Sequence, residues 1–187
     1  ICVCENVLDS EGNILYPHMI HTMKNGVKVG LVGIVTDYIN VWEKKENLVG
    51  IQVVDPFEAA KKALEDLQGK VDLTICIYHG GFESDLETGK RLSETTENIG
   101  YKICTELGFD VLLTGHQHMP VAGRMVNGTY TLQPLANGRE YAYVEIDLEK
   151  EAFSSGNATY PAAISSITSK KVQPNPDNAK ALCEKYS

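Results

Sequence analysis

The sequence predicts an α/β fold: a layered α/β/β/α sandwich built from mixed sheets and lacking part of one sheet on its N-terminal side. Three observations carry this. Residues 27–35 (VKVGLVGIV) and 71–78 (VDLTICIY) are nearly continuous apolar runs rich in β-branched residues, as expected of strands covered on both faces. A helical pattern separates the second run from a short third one at 110–114, which makes a strand, helix, strand unit with parallel strands. From 121 to 148 the pattern changes to short strands with turn signals at Asn127-Gly128 and Asn137-Gly138, so the end of the domain reads as antiparallel.

The chain opens on Ile1, already within an apparent strand over 1–7, and so reads as starting inside a fold. A turn follows at residues 9–13, where Gly12 and Asn13 supply the required chemistry. A strand over 18–23 leads to Asn25-Gly26, the sequence favoured in two-residue hairpin loops, and the first three strand segments are expected to pair antiparallel. Asp55 is the expected N-cap of a helix to Leu67, with Pro56 at its first position and Phe57, Ala60, Leu64 and Leu67 on its buried face. A second helix is expected over 94–107, stopped by Gly108. The polar stretch near 173 precedes a short helical pattern at 174–186. That divides the chain into a domain at 1–172 and a linker helix at 173–187.

Composition narrows the function classes. With 43% hydrophobic and 22% charged residues in 187, the chain is that of one soluble globular domain. Seventeen Lys and Arg against 25 Asp and Glu give a net charge of -8 without a basic cluster, which argues against a nucleic-acid polymer as partner. An acidic chain that handles phosphate needs local positive charge, and metal ions supply it. Five cysteines without a C-x-x-C pair indicate neither a zinc ribbon nor a disulfide framework; Cys2 and Cys4 read as core residues on one strand face. No apolar run is long enough to span a bilayer, and no signal peptide is visible in this segment.

The chemistry concentrates at two strand ends. His79-Gly80-Gly81 ends one parallel strand, and Gly115-His116-Gln117-His118 ends the next, with His116 placed 37 positions after His79. Parallel neighbours put both turns on one sheet edge, beyond the carboxyl ends of the strands, where open α/β sheets place their ligands. If the second turn is extended, His116 and His118 project together while Gln117 faces away. Three neutral imidazoles suit a borderline metal such as zinc, manganese, iron or nickel but do not complete a binuclear site. A bare H-x-H is common by chance; the second histidine turn at the matching strand end favours the ligand reading. Glu83, Asp85 and Glu87 read as a solvated acidic loop, His18 and His21 as facing opposite sides of a strand and so not a pair of ligands, and Trp42 as a core residue or a base-stacking surface.

These blocks resemble a known family. Leu113-Thr114-Gly115-His116-Gln117-His118 is similar to the closing block of the calcineurin-like metallophosphoesterases, and Ile77-Tyr78-His79-Gly80-Gly81 to the histidine block before it. Glu5-Asn6-Val7, residues 26–33, Val41-Trp42-Glu43-Lys44 with Asn47-Leu48, and Glu97-Asn98 ahead of Tyr101 resemble segments of the 5'-nucleotidase and 2',3'-cyclic-nucleotide 2'-phosphodiesterase branch, in the same order. The resemblance implies the C-terminal half of a metallophosphoesterase domain, with two divalent metal ions such as zinc or manganese. It implies that His79 and His116 hold one ion and His118 the other. The family's Asp-x-His, Gly-Asp and Asn-His-Asp or Asn-His-Glu blocks do not occur in these 187 residues, so no catalytic residue is assigned and this chain alone is expected to be inactive. The parent is expected to be a bacterial, exported hydrolase (periplasm, cell wall or extracellular) of a small-molecule nucleotide. The alternatives are a UDP-sugar hydrolase or other metallophosphatase, and a noncatalytic metal-binding or interaction module.

Overall fold

The computed structural model describes residues 2–149, 163–173 and 175. In chain order it contains β1 (Cys4–Asp9), β2 (Ile14–Tyr16), β3 (Met19–Thr22), β4 (Lys28–Val35), α1 (Ile39–Trp42) and a 3-10 turn (Lys45–Leu48). Then come β5 (Ile51–Val53), α2 (Pro56–Leu67), β6 (Leu73–His79), α3 (Gly100–Glu106), β7 (Val111–Thr114), β8 (Val121–Val126), β9 (Thr129–Gln133), β10 (Tyr141–Glu149) and β11 (Ala163–Val172).

The central sheet has six strands in the order β3-β4-β6-β7-β9-β8. Its middle strands β4, β6, β7 and β9 run parallel, while β3 and β8 pair antiparallel at the two edges. Helices α2 and α3 cover one face, where Val32, Ile34, Phe57, Ala60, Cys76 and Ile103 form the main core. On the opposite face Ile146, Leu148 and Ile164 of the β10–β11 hairpin pack against Val29, Leu73 and Ile75. A separate sheet, β2-β1-β5, is tied to the end of β4 by Asn6, which is fully buried. Its side-chain nitrogen donates to the carbonyls of Val35 (2.8 Å) and Val54 (2.9 Å), and its oxygen accepts from the Val35 amide (2.9 Å). The mixed sheets and helix-covered layering agree with the expected class; a second helical layer is not present among the described residues.

Helix α2 forms as its sequence dictates. Asp55 Oδ1 accepts from the amides of Phe57 (2.7 Å) and Glu58 (3.1 Å), and Pro56 takes the first helical position, where no amide hydrogen is needed. The buried face is shifted slightly: Ala63 is buried and Leu64 only half-buried. Asp55→Ala should cost about 1 kcal/mol, read as a lower urea midpoint with an unchanged slope.

Five local expectations are corrected. The β3–β4 hairpin has a three-residue loop at 24–26, because Gly26 (φ +84°) takes the left-handed position; its amide donates to the Met23 carbonyl, and the Met23 amide donates to Val27. Strand β1 does not join β3 and β4; it pairs with β2 and β5, and Asn6 bridges the two sheets. The second helix starts at Gly100 rather than 94, because residues before it are held by tertiary hydrogen bonds described below. The end of the domain is not wholly antiparallel, since β9 lies parallel to β7. Cys4, Cys76 and Cys104 are buried free thiols, whereas Cys2, expected in the core beside Cys4, is exposed, because it lies ahead of the first residue of β1. No helix among the described residues is long and apolar enough to cross a membrane. The helix expected at 174–186 falls, apart from Asn175, outside the described residues, as does Cys183.

Candidate metal centre

The carboxyl ends of the four parallel strands carry the polar chemistry. His79 is the last residue of β6, and Gly115 to His118 follow β7 directly. The Thr36 amide, just past β4, donates to the His79 carbonyl (3.0 Å), and the Gly115 amide donates to the Gly80 carbonyl (3.2 Å), so the strand ends are laced together. The result is that the rings of His79 and His116 lie 5.2 Å apart. His118 is exposed on the same loop.

The loop is not extended. His116 (φ 68°) and His118 (φ 59°) both occupy the left-handed region, which histidine tolerates better than most residues but at a cost. Simple alternation therefore fails to describe it, and Gln117 does not face away. Its Oε1 accepts from the Phe82 amide (2.7 Å) and its Nε2 donates to the Phe82 carbonyl (2.9 Å), clamping the two histidine turns together. Gly81 is required for this approach, because a Cβ there would sit 2.0 Å from Gln117 Oε1. Buried Gln133, at the end of β9, holds the loop from the other side by donating to the Met119 carbonyl.

His116 is the most constrained of the three histidines. Its Nε2 lies 2.8 Å from Glu97 Oε1, and its ring stacks on Trp42 at 5.1 Å with 28° between the planes. Trp42, 49% exposed, is thus neither a core residue nor free; Tyr38 meets it edge-on at 5.8 Å. Glu97 was visible in the sequence only as part of a family-like Glu-Asn pair, and Gln117 and Gln133 gave no signal, since their roles depend on contacts far along the chain. Glu83 is not a solvated loop residue. It is buried, and its carboxylate caps α3 by accepting from the amides of Tyr101 (3.0 Å) and Lys102 (2.8 Å). Asp85 accepts from Thr88 within its own turn, and Glu87 pairs with Arg124. His18 is held by Glu5, remote in sequence from the histidine turns, and His21 lies on β3.

The electrostatics favour neutral imidazole. Partial burial, with the neighbouring His116 and His118, holds the His79 pKa below its ordinary value, so its nitrogen lone pair is available at neutral pH. The described residues include no group of three His, Cys, Asp or Glu side chains placed to hold a metal ion together. Two buried oxygens without hydrogen-bond partners, Asp37 Oδ1 and Gln133 Oε1, lie at or just past the ends of β4 and β9 on this edge. What fits a borderline metal is the pair of imidazoles of His79 and His116, rings 5.2 Å apart, as part of a shell and not the whole of one. A cleft of about 390 Å3 opens beside His79, lined among others by Tyr78, Thr114, Pro134 and Tyr141.

No family model matches the chain. It is 29% identical over 157 residues to the trifunctional nucleotide phosphoesterase protein YfkN of Bacillus subtilis, covering 75% of this chain and 10% of that protein. It is 28% identical over 121 residues to the 2',3'-cyclic-nucleotide 2'-phosphodiesterase/3'-nucleotidase of Salmonella typhimurium, covering 64% of this chain and 16% of the relative. Among solved structures, a Staphylococcus aureus protein assigned as a 5'-nucleotidase superposes with a TM-score of 0.76 at 25% identity, over 92% of this chain and 33% of its own. The chain thus spans between a tenth and a third of the length of these relatives. In sequence and in fold the chain is similar to calcineurin-like phosphoesterases, among them proteins described as 5'-nucleotidases and 2',3'-cyclic-nucleotide phosphodiesterases.

Proposed function

We propose that this chain contributes part of a binuclear-metal active site that hydrolyses phosphate esters of small nucleotides, with 2',3'-cyclic nucleotides and nucleoside 5'-phosphates as the substrate class. The observation that carries the proposal is the meeting of His79 and His116, rings 5.2 Å apart, at the carboxyl edge of the parallel strands. In this reading His79 and His116 serve one divalent cation, zinc or manganese, and His118 the other. Bound there, such cations supply a water nucleophile at neutral pH and neutralise charge on the phosphoryl oxygens. The chain's own residues bind and orient: Gln117 and Gln133 fix the loop, and the lowered pKa of His79 keeps its ring in the ligand form.

The remaining ligands belong, on this proposal, to the Asp-x-His, Gly-Asp and Asn-His-Asp or Asn-His-Glu blocks, none of which occurs in the 187 residues. Export of the parent enzyme, a domain limit near residue 172 and a linker helix beyond it are parts of the same proposal. The test is hydrolysis of a 2',3'-cyclic nucleotide and of bis-p-nitrophenyl phosphate with added manganese. It is run side by side on this chain and on a longer protein that also carries those blocks. The longer protein should turn over and the chain alone should not. Metal-dependent turnover by the chain alone would remove the assignment of catalysis to the missing blocks, and no turnover by either would leave a noncatalytic metal-binding module.

A further inference from the structure

Among the described residues the carboxylate of Glu97 has one side-chain partner, Nε2 of His116 at 2.8 Å, with side-chain exposures of 31% and 19% for the two residues. A carboxylate accepts and does not donate, so the proton of this contact resides on the ring nitrogen. We propose that Glu97 is a positioning residue for the metal centre. It holds the Nε2–H of His116 and thereby commits the ring to presenting its Nδ1 lone pair to the cation. The inference rests on the reading of His116 as a metal ligand given above.

The two contacts on the His116 ring restrain different degrees of freedom. The hydrogen bond to Glu97 fixes the direction of the Nε2–H vector, and the Trp42 indole, stacked at 5.1 Å, fixes the plane. A ring held in both senses has one tautomer and one orientation, which is what an outer carboxylate does for a metal-ligating histidine. The position of Glu97 itself does not depend on its side chain. Its backbone carbonyl accepts from Thr36 Oγ1 (2.7 Å) and from the Tyr78 hydroxyl (3.1 Å). The next residue, Asn98, is buried and accepts from the Gly81 amide (2.6 Å). These bonds keep residues 97 and 98 out of α3 and aim the carboxylate at the histidine turn, and they survive truncation of the Glu97 side chain.

The experiment uses isotope-labelled wild-type chain, Glu97→Gln and Glu97→Ala, compared by long-range proton–nitrogen correlation of the imidazole rings without metal at a pH where imidazole is neutral. Zinc titration and thermal melting of the same samples accompany it. In the wild type His116 should be almost wholly the Nε2–H tautomer. Glu97→Gln should retain that tautomer, because the amide oxygen accepts the same hydrogen bond. Glu97→Ala should release a mixture of tautomers, weaken zinc binding by about 10–100-fold, and lower Tm by no more than about 5 °C. An Nδ1–H tautomer in the wild type, or an unchanged tautomer in Glu97→Ala, overturns the proposal. A released tautomer with unchanged zinc affinity overturns the positioning role alone, while absence of zinc binding by a tautomer-locked wild type overturns the ligand reading of His116.

Discussion

Replacing Asn6 with alanine is expected to destabilise the chain by about 3 kcal/mol or more, the largest loss from any single polar side chain described here. The residue is fully buried and satisfies three backbone groups at once: the amide and carbonyl of Val35 and the carbonyl of Val54. An alanine removes the partner of all three, at about 1–3 kcal/mol for each group that stays buried and unsatisfied. Asn6→Asp should also be strongly destabilising, because an acid that accepts from the Val35 amide cannot donate to the two carbonyls. Urea denaturation of the two variants checks both expectations, and a change below about 1 kcal/mol for alanine would show that the seam between the sheets is not held by this side chain. Because Val35 precedes Thr36, whose amide meets the His79 carbonyl, loosening this seam should also broaden the signals of the histidine turns.

The second large effect concerns the candidate metal centre. If His116 is a ligand as proposed, His116→Ala is expected to weaken zinc or manganese binding by at least about 100-fold, since loss of a direct ligand exceeds the 10–100-fold typical of outer-shell partners. His18→Ala should leave metal affinity unchanged, because His18 is held by Glu5 and takes no part in the histidine turns. In a longer protein that carries the three other blocks, His116→Ala should lower hydrolysis of a 2',3'-cyclic nucleotide by a comparable or larger factor. Calorimetric titration measures the first pair, and steady-state turnover under saturating manganese the third. Equal metal affinity for His116→Ala and His18→Ala would exclude His116 as a ligand.

Local chemistry was legible wherever a short stretch of chain determines its own conformation. Asp55-Pro56 begins a helix in any context that permits one, because the cap and the fixed proline φ act within four residues. The unbroken apolar runs of β4 and β6 admit few arrangements other than parallel strands covered on both faces, and the histidines at the strand ends then fall on one edge. The helix expected from 94 starts later for a definite reason: Thr95, Thr96 and Asn98 are weak helix formers, and Thr36, Tyr78 and Gly81 offer residues 97 and 98 tertiary hydrogen bonds that a helix would forgo.

By itself, then, the sequence determined the parallel core, the capped helix α2, the edge that carries His79, His116 and His118, and the likeness to metallophosphoesterases. Tertiary structure alone decided how those histidines are held. The left-handed backbone at His116 and His118 turns Gln117 inward onto Phe82, a contact 35 residues away in sequence that no local period encodes. Trp42 is drawn from the expected core to the stacked face of His116, Glu83 from an expected surface loop to the cap of α3, and Asn6 into the seam between two sheets. Gln117, Glu83 and Asn6 each satisfy backbone polar groups contributed by a distant segment, whereas Trp42 packs its ring on that of His116. The roles of the first three follow from the requirement that buried polar groups be paired, which only the assembled fold specifies.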